Sequence, residues 1–342
     1  MLGISAYLKD FSATYLKQAA DAGIQAVFTS LHLPEETPQE FTTGLAQFRQ
    51  SVHRYDLDIM VDVSRETFKK LGLAQGDFSE LAAQGFHTLR LDAGFDEPQL
   101  IKQLQATFKV VLNASTIDEN FLVRLQRTKV DFSQLIAAHN FYPKPETGLT
   151  PAYFQAKNHL FKAWGLQTLA FIPGDGLKRY PFYAGLPTLE LQRGWNSYTA
   201  YLEMTQRYGV QQVYIGDSQL SPQSLAWIQR FNQEHVVTLP IADADLSQLP
   251  QQPLAIRAEE SPQLIRVQTK RQPQAIKQTL ARPKGTVTCE NNLAKRYAGE
   301  VEIAKADLPF SPTSNYLGTI PAPYQAILPL LTGKQRVQFV AV

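Results

Sequence analysis

Four short stretches share one grammar: Gly23-Ile24-Gln25-Ala26-Val27, Gly85-Phe86-His87-Thr88-Leu89, Gly165-Leu166-Gln167-Thr168-Leu169 and Gly209-Val210-Gln211-Gln212-Val213. Each sets a glycine after a helical pattern, then an apolar residue, two mostly polar or small ones, and a strand. Glycine tolerates the left-handed conformation that closes a helix. A helix–Gly–strand junction repeated along a chain therefore describes a succession of βα units. Eight strand candidates fit that rhythm: Leu2–Leu8, Ala26–Leu31, Asp58–Val63, Thr88–Asp92, Phe108–Asn113, Leu135–Asn140, Gln167–Ile172 and Gln212–Gly216. They are short and apolar, as strands buried on both faces must be. The expected fold is α/β, a (β/α)8 TIM-type barrel. A doubly wound open sheet is the alternative, although no GxGxxG follows the first strand to mark a dinucleotide site.

The helical segments carry their own signals. Phe41, Leu45, Phe48, Val52 and Tyr55 fall on one face of a helix over Gln39–Tyr55. Ser12 caps a helix ending at Gly23, and Thr116 with Glu119 fits a capping box. Thr150-Pro151 and Ser221-Pro222 each place a cap before a proline at the first helical position. After about Val236 the texture changes: prolines punctuate short β-type runs such as Leu264–Thr269, Thr286–Cys289 and Val337–Val342. The division expected is a catalytic barrel over 1–236 and a small, mostly β module over 237–342.

Composition narrows the function. The 342 residues are 44% hydrophobic and 19% charged, as in ordinary globular proteins. A net charge of +2 speaks against a nucleic-acid partner. It conceals an asymmetry, since residues 251–342 carry 12 Lys and Arg against 6 Asp and Glu and the rest carries 21 against 25. A basic second module can help to capture an anionic ligand. The single cysteine, Cys289, excludes a disulfide framework and Cys-cluster metal sites. No apolar run has the length of a membrane span, and the amino terminus reads as a strand and not a signal peptide. A cytoplasmic protein with no membrane partner is expected.

Active sites of such barrels form where the strands end. The polar residues there are Ser30, His32, Glu35 and Glu36; Asp62; Arg90 and Asp92; Asn113 and Ser115; His139 and Asn140, with Tyr142 and Glu146 beyond; Asp175; and Asp217. The six histidines show no metal-ligand spacing, so no metal is expected. GxSxG and P-loop motifs are absent too. Carboxylate chemistry remains. Two carboxylates flanking one bond are what glycoside hydrolysis requires: one protonates the leaving oxygen, and the other supports or attacks the cationic centre. Asp92 and Glu146 are the expected pair, with Asp217 and Asp175 in reserve. Lys178 and Arg193 lie between strands 7 and 8, where barrels often hold phosphate.

The segments Leu112–Thr116, His139-Asn140-Phe141-Tyr142-Pro143-Lys144-Pro145-Glu146-Thr147-Gly148-Leu149, Phe171–Asp175 and Gly185–Glu190 resemble the bacterial 6-phospho-N-acetylmuramidase family, long catalogued as a domain of unknown function or "outer surface protein". The resemblance runs nearly end to end. It implies a barrel followed by a cyclophilin-like β domain, and an exo-glycosidase without cofactor. The substrate implied is a phosphorylated amino-sugar disaccharide, N-acetylmuramic acid 6-phosphate linked to N-acetylglucosamine, met during cell-wall recycling. Arg90, Asn113, His139, Asn140, Tyr142, Asp175 and Glu190 then become candidates for holding the sugars. Lys178, Arg193 and Arg282 become candidates for the phosphate or the lactyl carboxylate. The chain departs from the family pattern at Gln192, where a His often precedes Arg193, and at Ser311 and Thr313, where Asp and Arg are usual. Competing readings are a sugar-phosphate isomerase or aldolase on the same barrel and a sugar-phosphate-binding protein without turnover. Self-association into a homo-oligomer, whether retention, inversion or substrate assistance operates, and which carboxylate is the acid all stay open.

Overall fold

The computed structural model describes residues 1–31, 37–92, 94–95, 97–243 and 251–342. Two compact units result, Met1–Pro222 and Gln223–Val342. In the first, β1 (Leu2–Ser5), β2 (Ala26–Ser30), β3 (Asp58–Val63), β4 (Thr88–Leu91), β5 (Lys109–Asn113), β6 (Leu135–Ala138), β7 (Gln167–Ile172) and β8 (Gln212–Ile215) pair in sequence order. Every pairing is parallel, and β8 returns to β1 through Leu2–Val213 and Gly3–Tyr214, so the sheet is a closed barrel and not an open one.

The helices are α1 (Ala13–Asp21), α2 (Pro38–Tyr55), α3 (Arg65–Lys70), α4 (Phe78–Ala83), α5 (Pro98–Leu104), α6 (Glu119–Arg127), α7 (Pro151–Ala163) and α8 (Ser197–Leu202). Capping fixes their starts. Ser12 accepts the Tyr15 amide at 3.2 Å, and Thr150 accepts that of Tyr153 at 3.3 Å. The helix α6 starts differently from the expected Thr116 box. Asp118 is its cap, accepting from the Phe121 amide at 2.8 Å, while the Thr116 hydroxyl turns back to the Asn113 carbonyl. A carboxylate this close to the helix start wins because it satisfies an orphan amide and meets the positive end of the dipole. The junction glycines Gly23, Gly85, Gly165 and Gly209 all take positive φ, between 64° and 87°.

Side chains alternate across each strand, and one set fills the barrel: Phe28, Met60, Val111, Ile136, Leu169, Phe171 and Tyr214, with Tyr7 at one end. Gly3 is required here, since a Cβ would overlap the Tyr214 ring. Phe28 meets Phe171 edge-on at 5.3 Å and Phe141 at 5.8 Å. Burying each such ring contributes about 1.5–3 kcal/mol.

All of α9 (Pro222–Glu234) but its first residue belongs to the second unit. Its strands are β9 (Val236–Ile241), β10 (Leu254–Ala255), β11 (Leu264–Val267), β12 (Thr286–Glu290), β13 (Val301–Ala304), β14 (Ser314–Thr319) and β15 (Arg336–Ala341). They form a three-stranded sheet, β10-β15-β9, and a four-stranded antiparallel sheet, β11-β13-β12-β14. This is the mostly β module read from the proline-punctuated tail.

Candidate active site

In a closed parallel barrel all strands end on one face, and inward residues two apart form successive layers. The layer at that end is polar. Asp62 on β3 and Arg90 on β4 are register partners. Arg90 Nη1 donates to Asp62 Oδ1 at 2.7 Å, and Nη2 donates to Asn140 Oδ1 just beyond β6, while Nε has no partner. Asp62 and Arg90 are both buried. The guanidinium thus ties three strand ends together above the apolar filling. Asp92 shares Arg90's strand face one layer further out and is half-buried. Asn113, at the end of β5, accepts the Ser115 amide at 3.0 Å, and the Ser115 hydroxyl lies 3.5 Å from that of Tyr142. Arg90, Asn113, Asn140 and Tyr142 therefore border one mouth, as the order of strand ends required.

The segment Phe141–Leu149 is held from outside by the loop after β7. Arg193 spends all five N–H groups on this task. It grips Glu190 with Nε and Nη2, both at 2.6 Å, and donates to the carbonyls of Tyr142 (2.9 Å), Gly185 (2.7 Å) and Lys144 (3.3 Å). Glu190 in turn accepts the amides of Glu146 and Gly148 at 2.8 and 2.7 Å. The Arg193 bonds hold the Glu190 carboxyl down at about 2, against the opposing effect of burial. Gly148 is obligatory, because a Cβ would stand 2.6 Å from Glu190 Oε2. These placements correct two expectations: Arg193 has no donor left for a phosphate, and Glu190 braces the loop and does not face sugar. Glu146 rides on this brace, its side chain exposed and its φ at +71°.

Three further expectations are corrected. Asp217 is fully buried and accepts the amides of Gly174, Arg179 and Leu186 at 2.9–3.1 Å, so it organises the β7 loop and is unavailable as a proton donor. Asp175 accepts the amides of Ser221 (2.7 Å) and Ser197 (3.4 Å), again within the scaffold. His139 lies one residue out of phase with the inward face. It packs between β6 and α7, 0% exposed, with Nε2 2.9 Å from Asn158 Oδ1 and its ring 4.4 Å from Phe154. Burial pushes its pKa down to about 4, so it is neutral there.

Lys178 donates to the Gly174 carbonyl and stands 3.8 Å from Asp217. Arg282 belongs to the second unit, where it donates to the Pro309 carbonyl at 3.0 Å and lines a cleft of about 500 Å³ with Ser311 and Thr313. Those two hydroxyls bond each other at 2.8 Å. Gln192 is buried and donates to Glu203 at 2.9 Å. His32, Glu35 and Glu36 lie outside the described residues. Among the described residues no three His, Cys, Asp or Glu side chains come together as a metal set, and no helix is long and apolar enough to cross a membrane.

Two further buried groups stand at the mouth. Asp62, the one acid in the apolar run Ile59–Val63, lies at the strand end where the sequence reading put it. Arg179 is 3% exposed and lies 4.3 Å over the Tyr7 ring. Nothing in Lys178-Arg179-Tyr180 announces that one of two adjacent cations turns inward.

A barrel with a polar, carboxylate-bearing mouth and an appended β module is the architecture of a glycoside hydrolase here, for the chain matches two family models in tandem. These are the N-terminal domain of 6-phospho-N-acetylmuramidase over residues 2–230 and its C-terminal domain over 237–340. The chain belongs to the 6-phospho-N-acetylmuramidase family, whose activity is a glycosidase acting on N-acetylmuramic acid 6-phosphate. Among solved structures it is similar to a conserved protein of unknown function from Enterococcus faecalis, at 32% identity and TM-score 0.88, covering 100% of this chain and 96% of that one. An uncharacterised Bacillus cereus protein shares the fold at 23% identity and TM-score 0.79, with 99% of each chain covered. No curated protein matches.

Proposed function

We propose that the enzyme hydrolyses N-acetylmuramic acid 6-phosphate from N-acetylglucosamine in a peptidoglycan-derived disaccharide, in the cytoplasm, as a step of cell-wall recycling, and that it does so with carboxylates at the barrel mouth. The observation that carries the chemistry is the Asp62–Arg90–Asn140 chain, which fixes an anion one layer beneath Asp92. Asp62 is the fixed negative charge that supports the cationic transition state. Asp92, with Glu146 on the braced loop, supplies the proton-transferring pair. Asn113, Asn140 and Tyr142 orient sugar hydroxyls and the acetamido group. The reading draws support from the family membership, from the order of strand ends and from a loop whose geometry is set before substrate arrives.

The test is incubation with the phosphorylated disaccharide and its unphosphorylated counterpart, with EDTA present, read by mass spectrometry. Release of both sugars from the phosphorylated form alone is expected. Asp92→Asn and Glu146→Gln should each lower kcat by about 10²–10⁴, the usual range for a lost proton-transfer group, and Asp62→Asn should do so with little change in KM. Wild-type rates in all three variants would remove these carboxylates from the mechanism, and no release by the wild type would remove the activity itself.

A further inference from the structure

Among the described residues Arg179 meets no counter-charge. Its guanidinium is buried, its Nε has no partner, and among the described residues no side-chain acceptor or carboxylate pairs with it. It rests instead on aromatic faces, with ring centroids at 4.3 Å for Tyr7, 5.5 Å for Tyr180 and 5.9 Å for Phe141. Such contacts stabilise a cation modestly and do not replace the hydration that burial removes. The rings also locate the group. Tyr7 follows β1 and bonds the Gly216 carbonyl beyond β8 at 2.6 Å, and Phe141 follows β6 and packs on the barrel filling at Phe28 and Phe171. The guanidinium therefore lies over the barrel's interior at the end where the strands finish. The Tyr180 ring that Arg179 touches also carries Lys9, whose Nζ lies 4.8 Å from its centroid.

We propose that Arg179 is the anchor for the substrate's phosphate, a role that rests on the glycosidase reading above. A phosphate monoester carries between one and two negative charges at neutral pH, which answers a buried guanidinium more strongly than the single charge of a carboxylate does. The planar fork of Arg179 suits two phosphate oxygens at once. Arg193, Lys178 and Arg282 are each committed to protein carbonyls or carboxylates, whereas Arg179 keeps its capacity unspent. An unpaired buried charge weakens the empty fold and is retained where a ligand supplies its partner.

The test compares wild type with Arg179→Met, which keeps the aliphatic stem over Tyr7, and Arg179→Lys. Three disaccharides are used: the phosphorylated one, the same lacking phosphate, and a phosphorylated one lacking the lactyl group. Expected for Arg179→Met is a KM raised about 100-fold or more on both phosphorylated substrates, with kcat within about tenfold, the scale of two lost charge-assisted hydrogen bonds. The unphosphorylated substrate should stay uncleaved by wild type and variants alike, Arg179→Lys should fall between on the phosphorylated ones, and the ligand-free Tm of Arg179→Met should not drop. A lowered Tm with unchanged KM would make Arg179 a structural stack and overturn the proposal. A loss confined to lactyl-bearing substrates would overturn the phosphate assignment in favour of the carboxylate. If the wild type cleaves none of the three, the glycosidase reading fails, and thermal stabilisation by N-acetylmuramic acid 6-phosphate decides the anchor separately. Stabilisation of wild type but not of Arg179→Met upholds it, and none in either removes it.

Discussion

Replacing His139 by Gln removes one titration from the core while leaving an amide that can still reach Asn158. In the folded protein burial holds the His139 imidazole at about 4, against an ordinary value of 6.5. The unfolded chain therefore takes up the proton first as the pH falls. Stability is full above about pH 6.5, drains away as the unfolded imidazole becomes charged, and levels off below about pH 4. A gap of that size corresponds to about 3 kcal/mol at 1.36 kcal/mol per unit. Surface screening does not discount it, because the ring is fully buried between Phe154 and Phe161. At pH 7.5 the Gln variant should be less stable by about 1–2 kcal/mol through imperfect packing. Between pH 6.5 and 4 the wild type should lose about 3 kcal/mol that the variant keeps, so their urea-unfolding curves should converge and cross. Activity of the variant at neutral pH should stay within a few fold of wild type. Parallel pH profiles, or a hundredfold loss of activity at unchanged stability, would refute the placement of His139 behind the barrel wall and return it to the sugar.

Three other outcomes follow from the same geometry. Arg193→Met should strip donors from three carbonyls and leave the Glu190 carboxylate to two amides; both Tm and kcat should fall, with proteolysis focused on 141–149. Asp217→Asn cannot accept three amides as a full anion does, and should cost about 1–3 kcal/mol in denaturant unfolding, where a purely catalytic Asp would leave stability unchanged or raised. In the second unit, burial first and then Glu290 and Glu300 raise the Glu302 carboxyl to about 7. Its folded value lies above the unfolded one, so stability is full below about pH 4.5 and is lost as the pH climbs through 7; Glu302→Gln should raise Tm at pH 8 and leave it unchanged at pH 4.5.

The barrel was legible because its determinants are local. A left-handed glycine after each helix and a short apolar strand after each glycine need no knowledge of distant residues, and Gly23, Gly85, Gly165 and Gly209 all behave that way. Strand order then follows, and with it the gathering of Arg90, Asn113, Asn140 and Tyr142. What escaped was side-chain direction and long-range pairing. His139 and Asn140 are neighbours in sequence but face opposite sides of the sheet, and β6 ends at Ala138, two residues before the expected Asn140. Glu190 and Arg193 are three residues apart, but their further partners at 142, 144, 146 and 148 are some 40 to 50 residues away. Asp217 is read as catalytic from its strand end, and only the three amides converging on it reveal another purpose.

The brace on the loop after β6 bears on how binding proceeds in time. Tyr142, Lys144, Glu146 and Gly148 are anchored through their backbones in the ligand-free fold, so the ordering of this wall occurs during folding and not on encounter. A sugar arriving there meets a surface that has no slower rearrangement left to make at that wall. Association at this face should accordingly run as a single kinetic phase, linear in ligand concentration, with discrimination between substrates residing in how fast each one leaves.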